Sequence, residues 1–127
     1  MVTSNQIAQL IKEIADGYKP EKIYLFGSYA NDVPDFDSDI DLFIIKDTDE
    51  RWIDRRIEAR KSIKNYIAPM DIIVYTPKEV EAAMDLVVNI GKIAVNTGKL
   101  VYERVWKTRR WFNDLAIKTL VISHFFD

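Results

Sequence analysis

The chain contains no cysteine. Disulfides, thiolate catalysis and zinc–thiolate sites are therefore excluded. It has a single histidine, His124, which cannot build an imidazole metal site alone, nor a Ser-His triad with partners near it in sequence. Any bound metal must be held by oxygen, which favours magnesium, calcium or manganese. The chain also lacks an excess of either charge. Its 18 basic and 20 acidic side chains leave a net charge of −2, so a polyanion site would have to be local rather than global. No apolar run approaches the ~18 residues of a membrane span. The first twenty residues carry Lys12, Glu13 and Asp16 within their apolar periodicity, unlike a signal peptide. A soluble cytoplasmic protein with no membrane partner is the expectation. Repeats, low-complexity tracts and linkers are missing as well.

What is present is a globular composition. At 127 residues and 48% hydrophobic, the chain suits one domain with a real core. Ile7, Leu10, Ile11 and Ile14 recur at helical spacing, which predicts a helix near 4–16 with Ser4 as N-cap and Gly17 as stop. Short apolar runs predict strands at "KIYLF" (22–26), "DIDLFIIK" (39–46), "MDIIVY" (70–75) and "KLVYE" (99–103). A helix is expected from Thr48 to about Ile67, with Ile53, Ile57, Ile63 and Ile67 on one side. Another is expected from Lys78 to about Val95, and a strongly apolar one over 111–126. Helices and strands interleave. The fold class is α/β or α+β, a small mixed β-sheet flanked by helices.

The chemistry concentrates where the second strand begins. Residues i and i+2 of a strand share a face, so Asp39 and Asp41 project side by side. Two carboxylates so placed repel by about 1 kcal/mol or more, and a divalent cation reverses that sign. Asp71 begins the third apolar strand as Asp39 begins the second. If the two strands are neighbours, Asp71 reaches the same point, and three carboxylates could hold the metal ions of a phosphoryl transfer. Gly27-Ser28 follows the first strand, where glycine lets the backbone approach a ligand and Ser28 starts a phosphate-sized anion site. Cation and anion sites on neighbouring strands describe a pocket for a metal-chelated nucleoside triphosphate.

Gly27-Ser28, ten residues and then Asp39-Ile40-Asp41 resembles the Gly-Ser-x10-Asp-x-Asp motif of the minimal nucleotidyltransferases, members of the DNA polymerase β-like superfamily. Ser38 to Leu42 matches the usual "SDIDL", Ala30 the alanine of "GSxARG", and "GKLVYER" (98–104) the closing "EGxxLYE" strand. The resemblance spans about residues 20–103. It implies a polymerase β-like nucleotidyltransferase fold over 1–103, with 104–127 as a helical extension. It implies that Asp39 and Asp41 bind Mg2+ or Mn2+, that Asp71 is the third carboxylate and assists the acceptor hydroxyl, and that Gly27 and Ser28 hold the triphosphate. The implied reaction moves a nucleoside monophosphate, AMP from ATP, to a hydroxyl and releases pyrophosphate. Stand-alone members of this type pair with a helical HEPN-type protein as antitoxins, and the implied acceptor is that partner. An aminoglycoside-like small-molecule transferase and a catalytically weak partner-binding protein are the alternatives. One departure is Asn31-Asp32 where the family commonly has Arg-Gly, which removes a charge-assisted phosphate contact.

Two further segments bear on partners. Arg55, Arg56, Arg60, Lys61 and Lys64, interspersed with Asp54 and Glu58, read as a solvated mixed-charge face. "RVWKTRRWF" (104–112) mixes cations with aromatics, but its Trp and Phe residues fit better packed on the sheet or on a partner, so nucleic acid is not the expected ligand. Over 111–126, ten of sixteen positions are apolar, which predicts burial against a second copy or a helical partner.

Overall fold

The structure is a computed structural model and describes residues 2–27, 29–30, 39–84 and 98–104. Among these residues the elements run α1 (Ser4–Tyr18), β1 (Lys22–Phe26), β2 (Ile40–Ile45), α2 (Trp52–Lys61), β3 (Met70–Tyr75), α3 (Pro77–Met84) and β4 (Lys99–Glu103). The strands form one mixed sheet in the order β3-β2-β1-β4, with β2 and β3 parallel and the other pairs antiparallel. A parallel pair needs a crossover, and α2 with its flanking loops supplies it.

The cap of α1 lies one residue earlier than expected. Thr3, not Ser4, is the N-cap: its hydroxyl accepts from the Gln6 N–H, and the Gln6 side chain accepts from the Thr3 N–H at 2.8 Å. The helix runs through Gly17 to Tyr18 and ends where Lys19 turns left-handed at φ 55°. Gly17 serves packing instead of termination. A Cβ there would stand 2.5 Å from the Ser62 Cβ, so its absence lets the end of α2 close on α1.

Ile7, Leu10, Ile11 and Ile14 of α1 pack on Ile23, Leu25, Leu42, Ile44, Ile72 and Val74, which share one face of the sheet. Each fully buried aliphatic side chain contributes about 1.5–3 kcal/mol. The opposite face carries a second cluster in which Phe43 and Ile45 are buried against Tyr24, Phe26, Ile73, Tyr75 and Val80. β2 is thus apolar on both faces beyond Asp41, as its sequence reads.

α2 departs most from expectation. It is shorter than 48–67, and it buries Arg55 and Ala59 while Ile53 and Ile57 remain half-exposed. Ile63 and Ile67 reach the main core from beyond the helix end. The reason is local. The close approach to α1 leaves room for alanine, and outward strand carbonyls attract the arginines, Arg55 being buried in the process. The Arg55 guanidinium donates to the carbonyls of Glu50 (3.1 Å) and Val74 (3.3 Å) and to the Glu79 carboxylate (2.6 Å). Arg55 is therefore not part of a solvated face. Glu79 and Thr76 close the start of α3 with reciprocal hydrogen bonds. Burial opposes ionisation of Glu79, but the Thr76 and Arg55 hydrogen bonds outweigh it and hold the carboxyl below its ordinary value. The portion of the expected third helix beyond Met84 and the apolar segment 111–126 lie outside the described residues.

Candidate functional site

The strand register assembles the site. Asp41 pairs with Asp71 across the parallel β2–β3 ladder and with Phe26 across the antiparallel β1–β2 ladder. Phe43 and Ile73, two residues on, form the next aligned pair, so both carboxylates extend the second face of the sheet at its β2–β3 start. Asp41 is half-buried and Asp71 exposed. Asp39 is exposed and precedes β2. Gly27 closes β1 next to Phe26, with φ at 78°, a region that L side chains rarely adopt. A Cβ placed on Gly27 would run into the Asp41 carboxylate oxygen. Glycine is thus what allows the turn after β1 to lie directly against Asp41. The turn continues with the Ala30 N–H donating to the Gly27 carbonyl at 3.1 Å. Ser28, Asn31 and Asp32 lie outside the described residues.

The electrostatics follow from this placement. Burial raises the Asp41 carboxyl above its ordinary value, and the negative charges of Asp71 and then Asp39 push it the same way. Among the described residues, no three carboxylates or imidazoles are drawn together tightly enough to hold a metal ion as they stand. What the strands provide is an aligned pair, Asp41 and Asp71, with Asp39 in electrostatic reach. The donor set is all oxygen, and the mutual repulsion felt at Asp41 is the kind that a hard divalent cation reverses. On that chemistry the residues fit magnesium or manganese.

Two side chains near this end of the sheet escaped the sequence reading. Arg60 donates to the Met70 carbonyl at 2.8 Å, immediately before Asp71. Phe26 lies beside Asp41 in register. A helix of mixed charge gives no signal for which arginine turns inward, because that depends on where the strand edge lies.

Comparison with known proteins gives the family and the fold. The family model described as "Polymerase beta, Nucleotidyltransferase" matches residues 9–105, most of the chain, and the chain belongs to that family. Two solved structures share the fold. One is a provisionally assigned nucleotidyltransferase from Sulfolobus solfataricus, with TM-score 0.55, 21% identity and 80% of each chain covered. The other is a toxin–antitoxin complex with AMP-PNP, with TM-score 0.56, 23% identity, 98% of this chain covered and 87% of that one. No curated protein matches the chain closely enough to count as a relative.

Proposed function

We propose that the protein is a metal-dependent nucleotidyltransferase that moves AMP from ATP to a hydroxyl group, with a partner protein as acceptor, in the manner of an antitoxin. The observation that carries the reading is the Asp41–Asp71 pair aligned across β2 and β3 with the positive-φ Gly27 turn lying against Asp41. Asp39, Asp41 and Asp71 would hold Mg2+ or Mn2+, and a bound cation supplies charge neutralisation for the triphosphate and the leaving group. Gly27 brings backbone close to that carboxylate, and Ser28, the next residue, is assigned to the triphosphate. The acceptor oxygen attacks the α-phosphorus, the bond to the β-phosphate oxygen breaks, and pyrophosphate leaves. Asp71, the more exposed carboxylate, orients the acceptor hydroxyl and takes its proton. The neighbouring toxin–antitoxin fold, solved with an ATP analogue, supports a protein partner, and a helical HEPN-type protein is the form proposed. The 104–127 extension is assigned to that interface or to one with a second copy.

The test is incubation of the full chain with magnesium, a HEPN-type protein encoded beside it, and ATP labelled on either the α- or the γ-phosphate. Label from the α-phosphate should appear on the partner together with free pyrophosphate, and Asp71→Asn should lose at least ~10²-fold in rate. Transfer of the γ-label would refute nucleotidyl transfer. α-Label on an aminoglycoside but not on the protein would move the acceptor to the small-molecule class. A stable complex without any label would leave partner binding as the function.

A further inference from the structure

β3 is one of the two outer strands of the described sheet, and the pattern of its carbonyls can be followed residue by residue. Ile40 N–H donates to the Pro69 carbonyl at 3.0 Å, and Lys46 N–H donates to the Tyr75 carbonyl at 2.9 Å. Successive carbonyls along a strand point to opposite sides. The odd-numbered ones from Pro69 to Tyr75 therefore face β2, and those of Met70, Ile72 and Val74 face away from it. An outward row of this kind is the usual liability of an edge strand. Here α2 lies along it. Arg60 Nη2 reaches the Met70 carbonyl at 2.8 Å, and Arg55 Nη1 reaches the Val74 carbonyl at 3.3 Å. The helix thus grips the outer edge of β3 near both ends.

The two grips differ in what they hold. Arg55 is buried and also ties Glu50 and Glu79, so it knits the far end of β3 to α2 and α3. Arg60 is exposed, and the contact that the structure gives it is the part-buried hydrogen bond to the Met70 carbonyl. Met70 is itself buried and directly precedes Asp71. At this point β3 is held from the inside by the Ile40–Pro69 hydrogen bond and from the outside by Arg60. The inner bond belongs to the same ladder that carries Asp41, so Arg60 completes a clamp that fixes Asp71 relative to Asp41.

We propose that Arg60 is a positioning residue: its guanidinium, by holding the Met70 carbonyl on the outer edge of β3, keeps the Asp71 carboxylate aligned with Asp41. The inference rests on the reading of Asp41 and Asp71 given above. A single hydrogen bond from an exposed side chain, exchanged against water, changes global stability modestly, but misplacing a site group by about 1 Å can cost up to ~10²-fold in function. The effect of removing Arg60 belongs in the site rather than in the melting temperature.

The test compares full-length wild type, Arg60→Ala, Arg60→Lys, Asp71→Asn and the Arg60→Ala/Asp71→Asn pair. Two measurements are made without any acceptor: Mn2+ affinity, from the paramagnetic resonance of the free ion, and amide hydrogen exchange at Asp71 and Ile73, whose N–H groups face β2, in metal-free protein. Arg60→Ala should weaken Mn2+ affinity about tenfold and speed exchange at those two amides while leaving the thermal midpoint within a few degrees. Arg60→Lys should recover part of the affinity, because a lysine can still donate to the carbonyl. In the Asp71→Asn background, removal of Arg60 should cost nothing further, since the two act as one unit. If Asp71→Asn weakens Mn2+ binding and Arg60→Ala does not, Arg60 is mere edge protection and the proposal falls. If Asp71→Asn itself leaves Mn2+ affinity unchanged, the reading of the site falls first and the proposal with it.

Discussion

Replacing Gly27 by alanine isolates the feature on which the site depends most. Two costs enter. An L side chain at φ 78° costs about 1–2 kcal/mol relative to a right-handed conformation. Against that, alanine restricts the unfolded chain and returns about 0.4–1 kcal/mol. The second cost is steric, because the new Cβ collides with the Asp41 carboxylate. Overpacking in a rigid core costs about 1–3 kcal/mol. Asp41 is half-buried and ends in a short rotatable carboxyl, so it can turn aside and the lower end applies. The expected net loss is about 1–2 kcal/mol, which lowers the melting temperature by several degrees. The fold survives. The function should not, because a turned Asp41 no longer lies beside Asp71, and misplacement on this scale costs ~10²-fold. The assay pairs thermal denaturation with pyrophosphate release under saturating magnesium. A cycle with Asp41→Ala separates the two costs, since Gly27→Ala should then carry only its backbone part. Wild-type turnover in Gly27→Ala would refute the claim that this close approach organises the site.

Two further outcomes follow from the carboxylates. Magnesium or manganese at a hundredfold excess over its dissociation constant should stabilise the protein by about 2.7 kcal/mol, and the Asp39→Asn/Asp41→Asn double variant should lose that response; an unchanged response would place the ion elsewhere. In metal-free protein, the raised Asp41 carboxyl means that the folded state holds its proton more tightly than the unfolded one. Its contribution to stability is present at low pH and disappears as pH rises through the raised value. Asp41→Asn should therefore raise the melting temperature at neutral pH and flatten its dependence over that window, and a lower midpoint would show that the charge is not the cost.

Much of the fold was legible because its strands are short apolar runs with sharp boundaries. Lys22–Phe26, Met70–Tyr75 and Lys99–Glu103 coincide with the expected segments. The pairing of Asp41 with Asp71 was legible only conditionally, since strand adjacency is a tertiary fact that spacing cannot supply. The Gly27 turn was expected to bring backbone near a ligand; its first neighbour is the Asp41 side chain. In α2 the isoleucine periodicity does not mark the buried side, which holds Arg55 and Ala59. A strand edge with outward carbonyls competes for that side, and arginines satisfy it where isoleucines cannot. Thr3 displaced Ser4 as the cap for a simpler reason: only Thr3 has Gln6 at the capping-box spacing.

The parallel register of β2 and β3 also sets what inheritance can alter. Sliding β3 by one residue against β2 would send Asp71 to the opposite face, where Ile72 and Val74 now sit in the core. Within Ile40–Ile45 and Met70–Tyr75, a single inserted or deleted codon is therefore all-or-none for the site. Between Lys61 and Met70 the chain leaves α2 and crosses to β3; Ile63 and Ile67 are anchored on the core, but Asn65 and Tyr66 between them are exposed, and there added length costs mainly the slowly growing entropy of a longer loop. Lineages of this domain should differ in length at that crossover while the two strands keep their count.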